Sequence, residues 1–331
     1  MTKTYHIYGV GNALVDTEIE VSDNQIEVLQ IQKGHMTLID QSRWQNLTKG
    51  LQGIRHKKSC GGSAANTLIA VSQLGGNCFY SCKVASDEIG TFYLDDLKAN
   101  GVHSNMNGSK ARGVTGQCLV LITPDAERTM ETFLGVTSTL SKEDLVESEL
   151  ASSEYVYIEG YLVAQEKGRE AMKAAKELAI KNGNKVALTL SDPSMVKFFG
   201  EQLEGIIGNG VDLLFCNEAE AIGLTHTSDV YEAKESLKNL AKNFVITLGA
   251  RGALIYDGKH FYDVAAHPVN AVDTNGAGDM FAGAFLYGIT HRYDVLTAGR
   301  IAAMCSAKVV SQFGPRLKKE ETQRLFKQIT G

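Results

Sequence analysis

Apolar and polar positions change their rhythm near the middle of this chain. From residue 154 onward, short apolar runs alternate with amphipathic ones. "EYVYIEG", "KVALTLS", "VDLLFCN" and "FVITLG" are almost uninterrupted apolar stretches of strand length. "EKGREAMKAAKELAIKNG", closed by Gly183, and "DVYEAKESLKNLAKN" return apolar residues at helical spacing. Buried strands alternating with helices predict βαβ units and a parallel sheet covered on both faces.

The first third follows a different rule. "HIYGVG" reads as a first strand, whereas "DTEIEV", "HMTLID", "GQCLVLI" and "RTMETFLG" alternate apolar and polar residues, as in a sheet with one wet face. Between these patches lie the helix-like "SAANTLIAVSQLGG" and the strand "CFYSCKVA". The pattern predicts a large α/β domain of residues 1–13, 41–111 and 135–331, with a small antiparallel β lid formed by two insertions, 14–40 and 112–134.

Composition narrows the class. With 331 residues, 44% hydrophobic, 33 Gly and 4 Pro, the chain suits one large globular domain with an appendage. Its net charge of -5 and lack of a long basic tract give no reason to expect a nucleic-acid partner. The short "RHKKS" at 55–59 reads as a solvated loop. No apolar run approaches the ~18 residues of a membrane span. Asp16 and Glu18 stand where a signal peptide would need an apolar core, so a cytoplasmic location is expected. The six cysteines show neither CxxC nor paired zinc-ligand spacing and read as reduced, buried thiols. Cys60, beside a glycine pair, is the thiol that would react if a site lay there. An exposed lid sheet could pair edges, which leaves a monomer or a lid-mediated homodimer open.

The candidate chemistry centres on "VDTNGAGDMFAGAF", residues 272–285. "HPVNAV" (267–272) reads as a strand and "AGDMFAGAFLYGI" as a helix beginning at the glycines. The backbone N–H groups of Gly276, Ala277, Gly278 and Asp279 would then face a ligand and carry partial positive charge, an anion hole for phosphate. Asp279, in the first helical turn, could accept a proton from a hydroxyl beside that hole, as phosphoryl transfer to an alcohol requires. The alternative is that Asp279 is a helix-terminus charge and the glycines serve packing.

Other positions carry two readings each. Asp16, after the first strand, can grip a vicinal diol or simply end a strand. "GVGNAL" lacks the third glycine of a dinucleotide fold and is rejected as one. Gly61, Gly62 and Ser63 make a tight helix entry with Asn66 one turn in, suited to a substrate hydroxyl or to plain capping. Asn217 and Glu220, at i and i+3, suit either a capping pair or water-mediated capture of Mg²⁺. Thr247, Gly249 and Gly252, with Arg251 nearby, can cradle phosphates or form an ordinary turn.

Taken together, these motifs resemble one family. "DTNGAGDMFAGAF" is similar to the DTxGAGD motif of the ribokinase-like (PfkB) carbohydrate and nucleoside kinases. "GNALVD", "GGSAAN", "NEAE" and "TLGARG" resemble that family's other motifs in their expected order across nearly the whole chain. The resemblance implies a ribokinase-like α/β fold, with a parallel-rich central sheet flanked by helices on both faces and a small β lid. It implies Asp279 as catalytic base, and Asn12, Asp16, Gly61, Gly62, Ser63 and Asn66 on the acceptor. Arg128 would reach the transferred phosphate. Asn217, Thr247, Gly249, Arg251, Gly252 and Asn275 would bind ATP, with Glu220 holding Mg²⁺ through water; K⁺ is a further expected cofactor.

Within the family, "DTNGAGD", "GGSAAN" and the terminal "SQFGPR" look most like adenosine-kinase-type members. The implied reaction is transfer of the ATP γ-phosphate to the ribose 5′-hydroxyl of adenosine, with Tyr161, Phe133 and Phe199 as candidate walls for the base. Inosine, guanosine and free sugars such as ribose or fructose are alternative acceptors. A non-catalytic nucleotide-binding regulator is the alternative of another class, and the presence of Asp279, Gly276 and Gly278 argues against it.

Overall fold

The computed structural model describes residues 3–34, 36–54, 56–106, 111–125 and 127–330. Fourteen strands are found among them: β1 (Tyr5–Val10), β2 (Leu14–Glu20), β3 (Met36–Leu38), β4 (His56–Gly61), β5 (Cys78–Ser81), β6 (Val102–Ser104), β7 (Gly116–Ile122), β8 (Arg128–Phe133), β9 (Ser153–Glu159), β10 (Lys185–Thr189), β11 (Val211–Asn217), β12 (Ala241–Thr247), β13 (Ala253–Tyr256) and β14 (Phe261–Val264). Nine form one sheet in the order β14-β13-β12-β11-β10-β9-β1-β5-β6. It is parallel from β12 to β6, and β12, β13 and β14 close one edge as an antiparallel meander.

The apolar runs become strands because both of their faces are covered. In β1, Ile7 enters one core cluster while Tyr8 and Val10 enter the other. Helices Ser63–Leu74, Ala277–Thr290 and Val295–Val310 build the first cluster; Glu166–Lys181, Pro193–Ile207, Glu218–Thr225 and Val230–Leu237 build the second. The family-implied α/β architecture is present. Among the described residues, no helix is long and apolar enough to cross a membrane.

The remaining five strands make a second sheet in the order β3-β8-β7-β2-β4. One of its faces packs Ile19, Leu119 and Leu121 against Trp44 and Leu47 of the helix Gln41–Gly50. Residues of opposite parity, Leu14, Asp16, Met130 and Thr132, turn toward the nine-stranded sheet.

Four expectations are corrected. The first insertion does not end at 40: the helix Gln41–Gly50 and β4 belong to the lid, so residues 56–59 of "RHKKS" are strand rather than loop, with Lys57 and Lys58 exposed. Arg55 and His35, which open the quoted "RHKKS" and "HMTLID", lie outside the described residues. The lid sheet is mixed, because β2–β7 and β3–β8 pair in parallel. "HPVNAV" is no strand: Val269 and Val272 are 44% and 42% exposed, so neither face is buried. The helix drawn from "DVYEAKESLKNLAKN" stops at Leu237, since Ala241 already pairs with Val211 in the sheet.

Candidate active site

The carboxyl ends of β1, β9, β10, β11 and β12 converge on a cavity of about 400 Å³ beneath the lid. Asn12, Glu159, Thr189, Asn217 and Thr247, all at or just past those strand ends, line it. This is where an open α/β sheet places a ligand. On the opposite wall stands the start of the helix Ala277–Thr290.

That start is shaped by its small residues. Gly276 caps the helix at φ 75°, in the left-handed region, and a Cβ there would lie 2.3 Å from the Pro315 carbonyl oxygen. The amide of Ala277 donates to Thr274 O at 3.3 Å. Those of Gly276, Gly278 and Asp279 meet no acceptor among the described residues. The expected four-amide hole is therefore a three-amide one, and Ala277 lies off the cavity wall. Further along, Gly283 allows close crossing with the helix Ser63–Leu74: a Cβ would sit 2.5 Å from Thr67 O. This crossing brings Asp279 to its partners. Ser63 Oγ donates to Asp279 Oδ1 at 2.6 Å and Asn66 Nδ2 to Oδ2 at 2.8 Å. Burial pushes the Asp279 carboxyl above the ordinary aspartate range, while Ser63, Asn66 and the Arg316 guanidinium pull it down.

Other residues expected on the acceptor lie around the same space. Asp16 of β2 lines the cavity, and burial raises its carboxyl to about 7 against the pull of Arg316. Gly62 opens the helix Ser63–Leu74 at φ 92°, with Ser63 spent on Asp279 rather than on capping. Gly61 stays off the wall; it leaves room for Asp16, whose Oδ2 would stand 2.3 Å from an added Cβ. Asn12 gives its side-chain amide to Glu159 at 2.9 Å.

At the other end of the cavity, Asn217 and Glu220 form a reciprocal capping box, with Asn217 N–H and Nδ2 donating to the Glu220 carboxylate at 2.9 and 2.8 Å. Burial raises that carboxyl to about 7. Asn217, Glu220, Thr247 and Asn275 line the wall. Gly249, Arg251 and Gly252 do not; they form a tight turn whose Arg251 pairs with Glu218 at the surface.

Some expected residues lie elsewhere. Arg128 does not line the cavity; it is spent on buried Asp273, at 2.5 Å. Phe133 packs on Trp44 inside the lid, and Phe199 packs against the core. Tyr161 does line the cavity, but the other aromatic walls are Phe215 and Phe281, joined by Met36, Leu38 and Met130 from the lid. Cys60 is buried outside this cavity, and burial pushes its thiol up, which disfavours the thiolate. Two residues escaped the sequence reading. Glu159 accepts from Asn12 N, Asn12 Nδ2 and Ala64 N at 3.1, 2.9 and 2.8 Å, tying the loop after β1 to a helix start. An acid closing the apolar run "YVYIE" was its signal. Arg316 donates through Nε to Asn66 Oδ1 at 2.6 Å; it closes the quoted "SQFGPR", which gave a resemblance but no role in the site.

A profile of the pfkB family carbohydrate kinases matches residues 34–322. The chain belongs to that family. A pfkB kinase is a phosphotransferase, and ATP and Mg²⁺ are its expected co-substrate and ion. Among solved structures, the chain is similar to the "probable sugar kinase protein" of Rhizobium etli CFN 42 at 32% identity and TM-score 0.91, covering 99% of both chains. It is similar at 32% identity and TM-score 0.90 to the adenosine kinase of Sinorhizobium meliloti, covering 98% of this chain and 99% of that one. Among curated relatives, the ribokinase of Staphylococcus aureus (strain COL) is 27% identical over 71% of this chain and 76% of its own.

Proposed function

We propose that this pfkB kinase transfers the γ-phosphate of ATP to the 5′-hydroxyl of a nucleoside, with adenosine as the acceptor. The observation that carries the transfer is the pairing of Asp279 with three unengaged amides at one helix N-terminus. Asp279 would take the hydroxyl proton, and the amides of Gly276, Gly278 and Asp279 would meet the charge on the phosphoryl group. Ser63 and Asn66 occupy one acceptor site on each Asp279 oxygen, and a carboxylate has about four, so lone pairs remain for the hydroxyl proton. Asp16, with its two oxygens, and Asn66 suit a ribose diol.

The donor set fits ATP·Mg²⁺ in one way. Both Glu220 oxygens already accept from Asn217, and no group of three or more His, Cys, Asp or Glu residues able to hold a metal is found among the described residues. Glu220 would thus act on a water of an ion that arrives with the nucleotide. Bound there, Mg²⁺ would neutralise phosphate charge; alignment and exclusion of water are left to the chain's own residues.

The nucleoside reading is supported by the apolar lid wall of Leu14, Met36, Leu38 and Met130 beside Tyr161, which suits a flat base better than a bare sugar. Its similarity to the Sinorhizobium meliloti enzyme points the same way. A sugar kinase is the second reading: Asp16, Asn12 and Asn66 would serve any vicinal diol, and the Rhizobium etli and Staphylococcus aureus proteins are similar to this chain too. ADP release from ATP·Mg²⁺ decides between them, measured with adenosine, inosine, guanosine, ribose and fructose 6-phosphate. Preferential turnover of adenosine is expected. Turnover with free sugars alone would overturn the nucleoside assignment and leave the role of Asp279 standing. Asp279→Ala should leave less than about a tenth of the activity, and a more active variant would remove Asp279 as the base.

A further inference from the structure

Three consecutive residues near the C-terminus each touch a different part of the site. Gly314 N–H donates to Asp273 Oδ2 at 2.8 Å, at the foot of the phosphate-binding turn. Pro315 packs so closely on Gly276 that its Cα would stand 2.6 Å from an added Cβ. Arg316 reaches past them to Asn66. Its guanidinium is fixed from the other side by Asp96 Oδ2, which accepts from Nη1 at 2.6 Å.

We propose that Gly314-Pro315-Arg316 is a clamp on the reacting end of the cavity, and that Arg316 is the positioning residue for Asp279, acting through Asn66. This rests on the reading of Asp279 as the proton acceptor. The argument turns on what an amide can offer. An asparagine side chain presents an acceptor oxygen and a donor NH₂ of nearly equal shape: the NH₂ can meet an ionised Asp279, and the oxygen can meet only a protonated one. A guanidinium has donors and no acceptor. With Arg316 Nε 2.6 Å from Oδ1, the Asn66 oxygen must face the arginine. Nδ2 is thereby committed to Asp279 Oδ2, at 2.8 Å. Without Arg316 the amide is free to turn its oxygen to a protonated Asp279, which favours the neutral acid over the base.

Arg316 also sets the local potential. The titratable and charged groups that face Asp279 are Asp16 of β2, Tyr157 and Glu159 of β9, Tyr161 just beyond it, and Arg316. Arg316 is the cation in that set. Its charge favours the ionised form of Asp279, against the burial that raises the carboxyl.

The test is the titration of the Asp279 carboxyl, followed by carbon-13 NMR in the ligand-free full chain and assigned with Asp279→Asn. Arg316→Met should raise the midpoint by about one pH unit, the lower end of the effect of a nearby opposite charge. The acid limb of kcat/KM should move up with it, and kcat should fall more than the KM for ATP rises. Arg316→Lys, which keeps the charge and the donor-only character, should recover part of both. A folded Arg316→Met protein with an unshifted Asp279 midpoint and acid limb would overturn the proposal. Should that variant fail to fold, the wild-type protein still decides: the Asn66 side-chain NH₂ resonance should follow the Asp279 titration, and indifference to it refutes the clamp. Turnover retained in Asp279→Asn would instead strike the base assignment, and the NH₂ signal would still report the clamp.

Discussion

Two glycines one residue apart should respond in opposite ways to the same added methyl group. Gly276 holds φ 75°, and its Cβ would meet the Pro315 oxygen at 2.3 Å. An alanine there pays roughly 1 kcal/mol for the left-handed backbone and about 1–3 kcal/mol for the overlap with a neighbouring backbone that has little room to retreat. For a chain of this size, a total of about 2–4 kcal/mol lowers Tm by roughly 3–6 °C. Gly278 lies in the first turn of the same helix with no atom within 4 Å of an added Cβ. Gly278→Ala should leave Tm unchanged or raise it by about 1 °C, because alanine is the better helix former. Both changes disturb the amide cradle, the first by moving the turn and the second by placing a methyl group on the cavity wall. A single lost oxyanion donor costs on the order of 100-fold in rate, and a comparable fall in kcat is expected for each. Scanning fluorimetry and ADP-release assays on the two variants suffice. Equal melting temperatures for Gly276→Ala and Gly278→Ala, or wild-type turnover in Gly276→Ala, would refute the account of the turn.

The ligand-free protein should lose stability as pH rises from about 4.5 to 7. Asp16, Glu159 and Glu220 have carboxyls raised to about 7 in the fold, so the native state holds protons there that the unfolded chain has released. Tm measured across that range should fall, and Glu159→Gln should flatten the slope; a slope unchanged by the substitution would count against the assignment. Arg128→Met strands the buried Asp273 carboxylate and should destabilise by up to about 3 kcal/mol, with Arg128→Met/Asp273→Asn recovering much of the loss in denaturant titrations. Tyr161→Ala should raise KM for a nucleoside more than for ribose; equal effects on both would remove Tyr161 from the base pocket.

What could be read in advance follows from how each signal is written. The central strands were legible because a strand buried on both faces must be apolar throughout, as Tyr155–Ile158 of β9 are. Asp279 was legible because a glycine turn, an acid and an apolar helix fall within a few residues. β4 was not: as an edge strand with one exposed face it needs little apolar character, and "HKKSC" shows little. "HPVNAV" misled because Val269 and Ala271, at alternate positions, mimic a strand face that no neighbour completes. Arg128 sat at the expected place in β8, but its partner Asp273 is 145 residues away and becomes adjacent only when the lid meets the core. Arg316 is 250 residues from Asn66, and no local pattern encodes that meeting.

The two rims of the lid sheet carry a consequence for assembly. One rim is β3, only three residues long; the other is β4, which sets Lys57 and Lys58 side by side toward solvent. Short strands and lysines are how sheets discourage further strands from adding to them. A dimer joined lid to lid along β4 would press these lysines against their own copies. A strand added along β4 would therefore carry the cost of bringing like charges together.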